Sequence, residues 1–193
     1  MKFRCLIGIM ILALLALITC TTEKSIQKKS EDAQVSRDLR EMVNEDQLLR
    51  NRADSIDYSV IFEADQRHRE KVFEYLAQGL ITTPVDLYRA SFILQHADPS
   101  LCTECFLLAY KLSMEAVNKG FDEARSLTAL NIDRYLVFTK QPQKYGTQYN
   151  VDSTGRYFLY PVDSTVSDSE RAVWKVAPLS QLKAFIDSLN RTR

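Results

Sequence analysis

The sequence predicts an all-α domain, a compact helical bundle with a tetratricopeptide-like helix pair and a short C-terminal β-hairpin or irregular loop. Three observations lead there. Apolar residues recur at three-four spacing along most of the chain. Gly and Pro are scarce, five of each in 193 residues. Strand-like texture is confined to one stretch after Pro142. With 46% apolar residues the chain can build one proper core.

The chain opens with Lys2 and Arg4, an uncharged apolar run from Leu6 to Ile18, and then Thr19-Cys20. This is the layout of a signal peptide over residues 1–19. The apolar run is shorter than the roughly twenty residues a membrane-spanning helix needs. Its end resembles a lipobox, with Thr19 where that pattern has Gly, Ala or Ser. Cys20 is then the expected site of lipidation by palmitate-type chains, which anchor a domain at a membrane surface. Residues 20–33 are polar and read as a tether, leaving 34–193 as a single helical domain. The expected location is the bacterial cell envelope, lipid-anchored and facing the periplasm or the cell surface.

Val35, Leu39, Met42 and Leu49 form the stripe of a first helix; Tyr58, Phe62, Val72 and Leu76 form that of a second. Thr83 as N-cap with Pro84 in the first turn opens a third, running through Leu87, Ala90 and Leu94 to about Ala97. Pro99 breaks it. A fourth helix is expected from about Ser100 to Lys119 with Gly120 as its stop, and a fifth from Asp122 to about Thr139. These two form the Ala-rich, tetratricopeptide-like pair. Tyr145 to Tyr149 and Arg156 to Tyr160 then flank the turn-like Asp152-Ser153-Thr154-Gly155. A short helix after Asp168 and a terminal one through Leu182, Phe185, Ile186 and Leu189 complete the domain.

The candidate site rests on charge in places that periodicity assigns to the core. Asp65 and Arg69 interrupt the second stripe and stand four apart; Asn131 and Arg134 interrupt the stripe of Leu127 and Phe138. Buried charge is costly unless partnered, so these helices point polar groups inward. Gln95-His96-Ala97-Asp98 ends the third helix, and Gln143, Tyr145, Thr147 and Gln148 follow the fifth. His96 is the natural acid or base, with Asp98 or Asp133 to orient it and Arg134 to hold an anionic group. The bland reading is strong: a histidine at a helix C-terminus suits the dipole, and Asp98 before Pro99 is an ordinary cap. His68, between Arg67 and Arg69, reads as solvated. Asp46-Gln47-x-x-Arg50 and Asp65-Gln66-x-x-Arg69 repeat one pattern nineteen positions apart without matching flanks, and read as a coincidence or a distant trace.

Cys102-Thr103-Glu104-Cys105 offers a redox pair or half a metal site. Against that, Cys102, Cys105, Ala109, Leu112 and Ala116 make a small-residue helical stripe in which the sulfurs simply pack. Phosphate loops, nucleophile elbows and zinc helices are absent from the sequence, and no cofactor or metal is expected. Loss of the signal leaves 23 basic and 25 acidic groups, about −2, with no basic-aromatic pattern for nucleic acid.

Asp65-Gln66 with Arg69, Gln95-His96-Ala97-Asp98, Asp133-Arg134-Tyr135-Leu136 and Gln141-Pro142-Gln143-Lys144-Tyr145-Gly146-Thr147-Gln148 together resemble the bacterial domain of unknown function 6624 family. The likeness runs from about Ser59 to Leu189. It implies no activity, and nominates His96, Asp98, Asp133, Arg134 and the 143–148 loop as a constellation. The leading expectation is a lipoprotein whose helical domain binds a partner protein or small ligand through a polar groove. The alternatives are an extracytoplasmic hydrolase or transferase using His96, and a thiol protein using Cys102 and Cys105. Whether the domain catalyses a reaction stays open.

Overall fold

A computed structural model describes residues 27–191. The signal segment and Cys20 lie outside the described residues. The chain divides into two units, Met1–Asp38 and Leu39–Arg193, and everything below from residue 39 onward belongs to the second. Among the described residues no helix is long and apolar enough to cross a membrane.

The architecture is mostly helical with one small hairpin near the C-terminus. Helix α1 covers residues 27–50. It therefore includes 27–33, which composition assigned to a tether. Strong helix formers and the Gln27–Glu31 side-chain bond one turn apart account for this. Then follow α2 (Tyr58–Ala77), α3 (Pro84–Leu94), α4 (Glu104–Asn118) and α5 (Ala124–Phe138). After them come β1 (Tyr149–Val151), β2 (Tyr157–Leu159), α6 (Asp168–Val173) and α7 (Leu179–Arg191).

Local chemistry explains most boundaries. Asp57 caps α2 by accepting from Ser59 N–H, Thr83 caps α3 from Asp86 N–H with Pro84 behind it, and Ser167 caps α6 from Glu170 N–H. Helix α4 starts at Glu104, later than the sequence suggested, because Asp98 spends its carboxylate on Ser100 in the preceding turn. Asp122 likewise makes no cap for α5; it pairs with Arg125 and Lys175. Gly120, at φ +90°, turns the chain between α4 and α5.

Ala90, Ala109, Ala116, Ala124 and Ala129 are wholly buried, so α3, α4 and α5 meet through small residues. The hairpin pairs Tyr149 with Leu159 and Val151 with Tyr157 in antiparallel register. Its turn is held by Asp152, whose Oδ1 accepts from Thr154 N–H and Arg156 N–H. Helix α7 fastens onto β2 through Asn190, whose amide donates to Tyr157 C=O at 3.0 Å and accepts from Tyr157 N–H at 2.8 Å.

The phase of α2 differs from the sequence reading. Ile61, Ala64, His68, Val72 and Tyr75 form its buried face, whereas Tyr58 is 71% exposed. His68 is thus buried, not solvated, and its Nε2 lies 2.9 Å from Glu45 Oε2. Both stripes contain Val72, so spacing alone fits either, and the face actually chosen carries the smaller residues.

Candidate functional site

Two consecutive residues of α5 head in different directions. Asp133 is completely buried. Its Oδ1 accepts from the backbone N–H groups of Lys144 and Tyr145 at 2.7 and 2.8 Å. Its Oδ2 accepts from Gly146 N–H, Thr147 N–H and Thr147 Oγ1–H, each at 2.9 Å. Burial pushes this carboxyl above its ordinary range, against the pull of the donors. All five contacts are of the kind that an ionised acceptor satisfies. The carboxylate is used up in pinning the 144–147 loop.

Gln143 stitches the next layer. Its side chain donates to the carbonyls of Gln148 and Tyr160 and accepts from Gln148 N–H. Tyr145 packs with Ala129 and Val166, and its carbonyl accepts from the buried Arg171. Gln143, Tyr145 and Thr147 therefore build the loop that positions Gln148.

Arg134 faces a cavity of about 320 Å³. Its Nη1 donates to Gln95 C=O and its Nε to Gln148 Oε1 at 3.3 Å, and the guanidinium carbon lies 5.9 Å from the Phe106 ring centre. No carboxylate pairs with it among the described residues. Burial, reinforced by the charge of Arg50, pulls its pKa down to about 10. It remains a cation at neutral pH.

Across the same cavity stand His96, Asp65 and Arg50. Asp46 and Arg50 come from α1, one turn apart; Asp65 comes from α2, and His96 from the turn after α3. His96 Nδ1 lies 2.8 Å from Asp46 Oδ1. Arg50 Nε donates to Asp46 Oδ1 at 2.9 Å and also lies 3.2 Å from His96 Nδ1; its Nη2 donates to both Asp65 oxygens at 2.8 Å. Burial opposes ionisation of Asp46, but His96, Gln47 and Arg50 together hold its carboxyl below the ordinary range. Burial lowers the imidazole pKa more than Asp46 raises it, with Arg50 and Arg134 adding to the decrease. Burial also raises the Asp65 carboxyl despite Arg50. At neutral pH, then, a neutral His96 donates Nδ1–H to an ionised Asp46. Its Nε2 keeps a lone pair with no protein partner among the described residues.

Of the residues that sequence nominated, Gln95, His96, Arg134 and Gln148 line one cavity. Asp98 is not the partner of His96: its Oδ1 accepts from Ser100 N–H and Oγ–H at 2.7 and 2.6 Å, a local turn contact. Asp133 is not beside the imidazole either, being consumed by the loop. The carboxylate that orients His96 is Asp46, fifty positions away, and Asp65 pairs with Arg50 and not with Arg69. Sequence reading missed Asp46 and Arg50 as site residues, although the Asp-Gln-x-x-Arg echo contained both.

Asp46, Asp65 and His96 each offer a ligand atom within 4.8 Å of the others, spacing compatible with a cation. Arg50 already bridges the two carboxylates, so a divalent metal would have to displace a guanidinium to bind there. Cys102 and Cys105 are joined in a disulfide at the start of α4. No family model, curated protein or solved structure matches this chain.

Proposed function

We propose that the protein binds a small anionic molecule in the Arg134 cavity. One observation carries this reading: a largely buried guanidinium faces open space, answered among the described residues only by a carbonyl and an amide oxygen. A buried cation without an anion is unfavourable, and a carboxylate or phosphoryl group on a ligand supplies the missing charge in a geometry that guanidinium matches. The cavity is at the small end of the range for ligand sites, which suits a single-ring metabolite. Tyr58, Phe138 and Tyr149 at its rim provide apolar faces for the remainder of such a molecule.

A second reading, a hydrolase or transferase, is favoured by the Asp46–His96 pair. A neutral imidazole whose Nδ1 is fixed by a carboxylate presents Nε2 as a base. In that reading Arg134 holds the anionic part of the substrate. Membership of the domain of unknown function 6624 family, lipid attachment at Cys20 and a cell-envelope location belong to the proposal as well. They rest on sequence motifs alone.

The test is thermal stability and calorimetry with acetate, benzoate, a sugar acid and inorganic phosphate on the native chain and on Arg134→Gln. At a hundred times Kd a ligand adds about 2.7 kcal/mol. The expected result is stabilisation of the native chain by at least one anion and none of the variant. Equal responses in the two proteins, or none from any anion, would overturn the reading.

A further inference from the structure

We infer that Cys102 and Cys105 form a thiol–disulfide exchange centre whose substrates are external thiols, with Cys102 as the sulfur that is attacked. The two cysteines differ in exposure. Cys105 is 1% exposed and packs in a cluster with Ala97 and Phe106, whereas Cys102 is only partly covered. The neighbouring Leu101 is 57% exposed, giving an apolar step beside the more exposed cysteine on which a thiol-bearing partner can rest.

The bridge is poorly placed as a staple. It links residues three apart, so it closes a very short loop and removes little freedom from the unfolded chain. The residues it joins are already close: Cys102 lies just before α4 and Cys105 in its first turn. Their Cα atoms are 5.4 Å apart, and Cys105 N–H donates to Cys102 C=O at 3.3 Å.

The leaving position is better placed. Cys105 is the second residue of α4, a helix of 15 residues whose N-cap, Thr103, makes no side-chain capping bond; its hydroxyl donates instead to Pro99 C=O. The N–H groups of the first turn and the helix dipole favour a thiolate departing at Cys105, against the apolar surroundings of Ala97 and Phe106 that oppose it.

In the first step a thiolate forms a bond to Cys102 Sγ, the Sγ–Sγ bond breaks, and the electron pair leaves on Cys105, which takes up the proton that the attacking thiol released. In the second step another thiolate attacks the external sulfur of the mixed disulfide, releasing Cys102. Two thiols are oxidised to one disulfide, and the protein is reduced to a dithiol. Once protonated, Cys105 packs as a small apolar residue, so the fold survives reduction.

The experiment equilibrates the folded protein in glutathione buffers of graded reduced-to-oxidised ratio, followed by alkylation and mass spectrometry, with circular dichroism on the same samples. The expected result is reversible interconversion without loss of helix. Cys105→Ser treated with oxidised glutathione should accumulate a mixed disulfide at Cys102 at least tenfold faster than Cys102→Ser does at Cys105. A pair that changes redox state only when the chain unfolds overturns the proposal. So do variants that react at equal rates, and so does a pair that stays reduced in oxidised glutathione.

Discussion

Asp133 and Arg134 are neighbours on one helix, both charged and both largely shielded from water, yet their surroundings differ in kind. Asp133 meets five donors and leaves no acceptor capacity facing space. Arg134 meets two neutral oxygens and an open cavity. A buried charge is therefore neither scaffold nor site by its nature. What separates the two is whether the chain supplies the countercharge or hydrogen bonds, or leaves them to something else. The first residue fixes the loop that carries Gln148, and the second uses Gln148 as part of a receptor.

This contrast can be broken by substitution. The largest effect is expected for Asp133→Asn, which removes the charge and aims an amide at converging N–H donors. A loss of about 3 kcal/mol or more in urea unfolding is expected, and a loss under 1 kcal/mol would mean that the loop holds itself.

Gly146→Ala comes next. Gly146 sits at φ +95°, and an added Cβ would lie 3.1 Å from Leu182 Cδ1. A cost of about 1–3 kcal/mol follows from the left-handed backbone together with the crowding, measurable as a lowered urea midpoint with unchanged slope.

Arg134→Gln should behave in the opposite way. Removing a buried unpaired cation takes away a desolvation penalty, so stability should hold within about 1 kcal/mol or rise, while the response to anions disappears. Strong destabilisation would place Arg134 with Asp133 as scaffold.

The smallest effect concerns pH. The imidazole of His96 has a lowered pKa in the fold, so between that value and about 6.5 the unfolded chain binds the extra proton. Its contribution is fully present above about pH 6.5 and declines as pH falls through that window. In His96→Asn this decline should be absent when stability is measured from pH 7 to 5. Asp65, whose pKa is raised, acts in the other direction at lower pH, since the folded chain then protonates first.

Much of the fold was legible because Thr83-Pro84, Gly120 and the three-four stripes state local rules that tertiary packing did not override. Helix phase was less legible: on α2 the shared Val72 let two faces compete, and the face that is buried includes His68, which meets Glu45. In the candidate site, His96, Arg134 and Gln148 stood out as polar groups near apolar stripes. The pairing of His96 was hidden, since two positions along the chain Asp98 turns to Ser100, while Asp46 arrives from a helix fifty residues earlier. Its signal, the Asp-Gln-x-x-Arg repeat, has meaning only once α1 and α2 lie on the same cavity. Asp133 stood as a carboxylate to orient His96 because the sequence does not show that the loop eleven residues later turns four N–H groups towards it.

The most direct measurement is a crystal of the domain soaked in bromide and read by anomalous diffraction. A peak within hydrogen-bonding distance of the Arg134 guanidinium, absent from Arg134→Gln crystals, is what an anion receptor requires. Bromide bound elsewhere on the surface, with nothing at Arg134 in an open lattice, would contradict the account.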